Sequence, residues 1–137
     1  MIFFFDRAIG KSIPLALRQL HLPEEIKIHD ELYAADIDDD VWLNPVGSTG
    51  WIIISQDVQF HSNEAEWDAL LRQNIGVFYV PGQEDHRWTT FKLLVRCYDR
   101  IVELAATTPK PFIYQIHRNG RITPFKIPSG LQIRLAL

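Results

Sequence analysis

Apolar runs recur along the chain, and the spacing of the polar residues among them separates strands from helices. Ile2 to Phe5 contains no polar position, the pattern of a strand covered on both faces, as in a parallel sheet with helices above and below. The runs "WIIIS" (51–55) and "IGVFYV" (75–80) predict further strands, and "EIKIH" (25–29) alternates as a short second strand does. Helical spacing appears between them. In "KSIPLALRQLHL" (11–22), Ile13, Leu15, Leu17, Leu20 and Leu22 fall close to it, with Ser12 as the expected N-cap and Pro14 tolerable only in the first turn. In "NEAEWDALLRQN" (63–74), Asn63 is the expected cap and Ala65, Trp67, Leu70 and Leu71 form the stripe. The strongest pattern is Phe91, Leu94, Val95, Tyr98, Ile101, Val102 and Ala105, with Glu84 or Asp85 near the helix start.

The stretch "DELYAADIDDDVWLNPVGSTG" (30–50) predicts a loop and then a short helix from about Asp39. Near the end, "FIYQIH" and "ITPFKI" flank "RNG", where Asn119-Gly120 suits a tight hairpin turn. A last run, "LQIRLAL", packs back on the body or completes a partner's surface. Strand and helix thus alternate four times before the hairpin. That order predicts an α/β fold: a doubly wound, mainly parallel sheet with a C-terminal β-hairpin.

Composition narrows this picture. At 137 residues and 47% hydrophobic, the chain suits one domain spanning 1–137, with no room for a second core. All 17 acids and nine of the 14 Lys and Arg residues fall in 1–108, whereas 109–137 holds five Lys and Arg and no acid. An acidic body therefore carries a basic hairpin and tail, and the net charge of -3 provides no global cationic field. Cys97, the one cysteine, lies in a helical pattern and predicts a buried thiol in a reducing compartment. Ile2 to Phe5 is too short for a signal-peptide core or a membrane span, so the expected location is the cytosol.

Doubly wound sheets place their sites at the carboxyl ends of the strands. Asp6 and Asp57 each stand just past such an end, and the helix expected near Asp39 would bring Asp36, Asp38, Asp39 or Asp40 to the same edge. Clustered carboxylates repel one another, and a hard divalent cation with oxygen ligands, Mg²⁺ or Mn²⁺, relieves them best. Taken singly, an Asp after a strand is more often a turn former or helix cap than a ligand.

The segments "FFFDRAIGKSIPLALRQL", "DIDDDVWL", "GWIIISQD" and "FYVPG", continuing through "TPKPFIYQIHRNGRI", resemble the small PIN-like domains related to VapC-type toxins. The family's acids match Asp6, Asp39 and Asp57. The resemblance implies metal-dependent cleavage of RNA phosphodiester bonds, with those three acids holding Mg²⁺ or Mn²⁺. It also implies a toxin role, with a small antitoxin covering the acidic pocket; a homodimer is left open. At "ISQD", Ser55 keeps the hydroxyl of the family's Thr, while Gln56 stands where a phosphate-facing basic residue is typical. Glu84 and Asp85 are the candidates for a fourth acid. Arg7 and Lys11, beside the first acid, are candidate phosphate ligands, and Lys110, His117, Arg118, Arg121 and Lys126 are candidate guides for an RNA backbone.

Two other readings compete. One keeps the fold with vestigial acids, as a binding module. The other is a phosphoacceptor receiver domain, with "SQD" supplying the acceptor and "TPKPF" the Lys-Pro step, although Asp6-Arg7 stands where receivers carry paired acids. Glycine-rich phosphate loops, CxxC and GxSxG are absent, and the five histidines lack the i, i+4 spacing of a helical zinc site. The aromatics Trp42, Trp51, Trp67, Trp88, Phe112 and Tyr114 read as core.

Overall fold

The four-residue apolar runs do become strands, and nearly every residue in the central ones is buried. The computed structural model of the protein describes residues 1–33, 50–56, 74–82 and 86–125. Its strands are β1 (Ile2–Phe5), β2 (Glu25–Ile28), β3 (Ile52–Ser55), β4 (Gly76–Tyr79), β5 (Phe112–Ile116) and β6 (Ile122–Pro124). They form one sheet in the order β2-β1-β3-β4-β5-β6. Every neighbouring pair from β2 to β5 is parallel, and only β6 runs against its neighbour. The described helices are α1 (Ser12–Gln19), α2 (His29–Leu32) and α3 (Arg87–Thr107). The helices expected from about Asp39 and over 63–74, and the final run, lie outside the described residues.

Alternation along each strand sends successive side chains to opposite faces. On one face Phe3, Phe5, Ile52, Ile54, Phe78 and Phe112 share a core with Ile13 and Leu17 of α1 and with Leu93, Leu94, Cys97, Ile101 and Ala105 of α3. On the other, Phe4 stacks on Trp51 at 6.0 Å and meets the rings of His29 and Tyr33 edge-on at 6.2 and 6.3 Å. Each such fully buried side chain contributes about 1.5–3 kcal/mol by leaving water. Burial also pushes the Cys97 thiol up, which suits a packing role rather than a reactive one.

Several local expectations are corrected. Ser12 is not the cap of α1; Lys11 occupies that position without a side-chain cap bond, and the Ser12 hydroxyl instead accepts a 2.8 Å hydrogen bond from Arg87, tying α1 to α3. Pro14 does fall in the first turn, where its missing N–H has no partner to lose. A one-turn helix, α2, replaces the start of the expected loop because the His29 ring is buried against Phe4 while its Nδ1 bonds Asp30 at 2.9 Å. The buried face of α3 is rotated from the expected stripe: Thr90, Leu93 and Cys97 join Leu94 and Ile101 inside, whereas Val95 is 50% exposed. Trp88, expected in the core, is 64% exposed and stacks on Phe91.

The hairpin forms as its sequence predicts. Gly120 takes φ +89°, a left-handed conformation that a side chain disfavours, and its N–H bonds the His117 carbonyl at 2.9 Å. It is not an appendage, because β5 is also the last parallel strand of the sheet. Among the described residues no helix is long and apolar enough to cross a membrane.

Gly76 has a specific packing reason. It pairs with Phe112 across β4 and β5, and a Cβ at position 76 would lie 2.3 Å from the Phe112 ring. Gly76→Ala is therefore expected to lower stability by about 1–3 kcal/mol through forced repacking. Urea unfolding measures this; an unchanged midpoint would contradict the assigned register.

Candidate active site

The pairing of β1 with β3 runs one residue past the strand, where the Asp6 N–H bonds the Ile54 carbonyl at 3.0 Å. Residues 7–10 then turn away, closed by a 3.1 Å bond from Gly10 N–H to the Arg7 carbonyl and by Gly10 at φ +81°. Asp6 is thereby left at the carboxyl edge of the sheet, only 4% exposed. One carboxylate oxygen accepts the Ala8 N–H at 2.9 Å, and the other accepts the hydroxyl of buried Ser55 at 2.5 Å. One donor on each oxygen fixes the plane of the carboxylate. A carboxylate held in this way offers the hard oxygen donors that a divalent cation takes.

Ser55 and the following residue diverge. While Ser55 faces Asp6, the Gln56 side chain turns into the body, where its Nε2 donates to the Pro81 carbonyl at 3.3 Å and to the buried Thr90 hydroxyl of α3 at 3.2 Å. A 2.7 Å bond from the Val80 N–H to the Ser55 carbonyl completes the join to β4. Position 56 is thus not a phosphate-facing surface position. The amide instead pins the end of β3 to the first turn of α3, a role that its sequence context did not announce.

Asp39, Asp57, Glu84, Asp85 and Lys126 lie outside the described residues, Asp57 being next in the chain after Gln56. Among the described residues, no group of three or more His, Cys, Asp or Glu side chains stands together as a metal cage. Arg7 and Lys11 are exposed on the segment that leaves Asp6. Arg118 and Arg121 are exposed in the turn after β5. Parallel pairing puts that turn on the same carboxyl edge, three strand spacings from β1, or about 14 Å. Two cations that the sequence reading passed over, Lys92 and Arg96 of α3, line a cleft with Arg118. Their i, i+4 spacing was the available signal.

Lys110 is a correction. It precedes β5, at the opposite, amino edge of the sheet, and donates to the Gly50 carbonyl at 2.7 Å ahead of β3. Its ammonium is partly buried, which lowers its pKa. It neither guides RNA to the carboxyl edge nor occupies the place of a receiver's lysine after the last core strand. A cavity of about 440 Å³ flanks edge strand β2 and is a structural feature: Arg18 in its wall is held by both Glu31 oxygens at 3.0 and 2.8 Å and by the Ile26 carbonyl.

Gln56→Lys tests the assignment of position 56. If the side chain is locked inside, an ammonium there loses water and the Thr90 bond geometry, at a cost of about 1–3 kcal/mol. Thermal unfolding would show this as a lowered midpoint, whereas a surface-facing residue 56 would leave the midpoint unmoved.

A family model described as a PIN like domain matches residues 1–82. That segment includes β1 through β4 and both Asp6 and Ser55. No curated protein matches the chain, and no solved structure does. With more than half of its length covered, and with a mainly parallel sheet carrying a buried acid at its carboxyl edge, the chain belongs to the PIN-like domain family.

Proposed function

We propose that the protein is a Mg²⁺- or Mn²⁺-dependent endoribonuclease, the toxin of a toxin–antitoxin pair, acting in the cytosol through Asp6, Asp39 and Asp57. The observation that carries this reading is the Asp6 carboxylate, buried at the carboxyl edge and oriented by the Ser55 hydroxyl and the Ala8 N–H. A buried acid held for packing alone has no need of this edge, whereas PIN-like domains are often nucleases. The β1–β3 pairing supports the same reading, since it brings the chain to Asp57 one residue beyond the Ser55-Gln56 step.

In this proposal Asp6, Asp39 and Asp57 hold the cation by oxygen ligands, with Glu84 or Asp85 as the fourth acid. The ion, when bound, supplies a water acidic enough to attack at neutral pH and offsets charge on the phosphate. The chain's own residues do the rest. Ser55 is a positioning residue, fixing Asp6 rather than touching RNA. Arg7 and Lys11, exposed next to Asp6 in the chain, face the incoming phosphate, and Arg118 and Arg121 draw the backbone to an edge whose acids would otherwise repel it. A small antitoxin protein would cover that edge.

Purified protein should hydrolyse RNA with Mn²⁺ and stop on chelation. Asp6→Asn is expected to reduce the rate at least about 100-fold, equivalent to some 2.7 kcal/mol of barrier. Ser55→Ala should cost less, about tenfold, as partners that orient a metal ligand do. A background of cleavage that is independent of metal and unchanged by Asp6→Asn and Asp57→Asn would end the proposal. RNA binding without hydrolysis would favour the module with vestigial acids.

A further inference from the structure

The flank of α3 that faces the hairpin carries a feature the catalytic reading does not use. Thr89, Lys92, Leu93 and Arg96 of α3 and Arg118 of the turn line a cleft of about 330 Å³, with three basic side chains and no acidic one among these residues. Lys92 and Arg96 stand four residues apart, on one side of the helix, and all three cations are exposed.

The cleft is built rather than incidental. The Cys97 thiol donates to the Gly120 carbonyl at 3.6 Å, docking the turn on α3. A Cβ at position 120 would lie 3.0 Å from the Arg96 Cζ, so the glycine backbone rests against that guanidinium. Lys92 is held from the other side, its ammonium 5.8 Å over the Trp88 ring. Cations ordered in advance lose less entropy on binding an anion. Guanidinium groups match phosphate oxygens in pairs, and a lysine adds a point charge.

We propose that Lys92, Arg96 and Arg118 form a subsite for a backbone phosphate of single-stranded RNA, remote from the cleavage site. Its choice of substrate rests on the ribonuclease reading. The cleft adjoins the turn after β5, about 14 Å from β1 along the carboxyl edge, so it takes a nucleotide flanking the one at Asp6 and a very short RNA cannot fill both.

The test is fluorescence anisotropy with a labelled single-stranded RNA of about 12 nucleotides, in chelator, across a range of KCl concentrations. The full chain is compared with Lys92→Ala/Arg96→Ala and, because Arg96 packs on the turn, with Lys92→Gln/Arg118→Gln. Circular dichroism checks that each variant is folded. At low salt, either variant is expected to bind at least about tenfold more weakly. The slope of log affinity against log salt should flatten by up to about 0.7, the share of the one backbone phosphate that the cleft neutralises. Unchanged affinity and slope in both folded variants would overturn the subsite, as would no RNA binding by the full chain or equal competition from polyglutamate. Cleavage unaffected by the substitutions at every RNA length would remove the subsite and leave the nuclease. Binding that depends on the cleft, without hydrolysis, would keep the subsite and remove the nuclease.

Discussion

The parallel pairing of β1 with β3 is the constraint on which the site depends. Parallel neighbours end on the same edge, so the residues that follow them emerge together, however far apart they stand in the chain. Here the ladder reaches one residue beyond β1, through the Asp6 N–H and the Ile54 carbonyl, and this holds the Asp6 backbone as firmly as the strand itself. The bond between Ser55 and the Asp6 carboxylate follows from that register. An antiparallel arrangement of the same two runs would send Asp6 and Ser55 to opposite edges.

Period-two alternation then divides the labour at the end of β3. Ser55 serves the face with the acid, and Gln56 serves the face with α3. Gln56 also shows why residue type by itself misleads: an amide beside a candidate site suggests contact with substrate, yet both of its hydrogen bonds are spent within the fold. The long helix acts as a beam with three working sides. One side fills the core, one meets α1 through Arg87 and Ser12, and one receives the hairpin turn through Cys97 and Gly120. The elements near the carboxyl edge are thereby braced against a single rigid body.

Much of the architecture was legible in the chain. The unbroken apolar runs at Ile2 to Phe5, 51–55 and 75–80 name strands buried on both faces, and Asn119-Gly120 names the turn. The errors were of another kind. Ser12 has the chemistry of a cap, but Arg87 from a distant helix competes for its hydroxyl. Val95 and Trp88 have the chemistry of core residues, but the hairpin and α1 decide which side of α3 faces inward.

The sequence by itself determined the six strands and the two longer helices among the described residues, their order, and the candidacy of Asp6, because these follow from local periodicity and from the rule that sites gather at carboxyl ends. Only the tertiary structure decided that Ser55 and the Ala8 N–H hold Asp6, that Lys110 belongs to the opposite edge, and that Lys92 and Arg96 face Arg118. Those outcomes depend on which strands are neighbours and on how each helix is rotated about its axis. Both are set by the packing of side chains far apart in the chain, which no local pattern records.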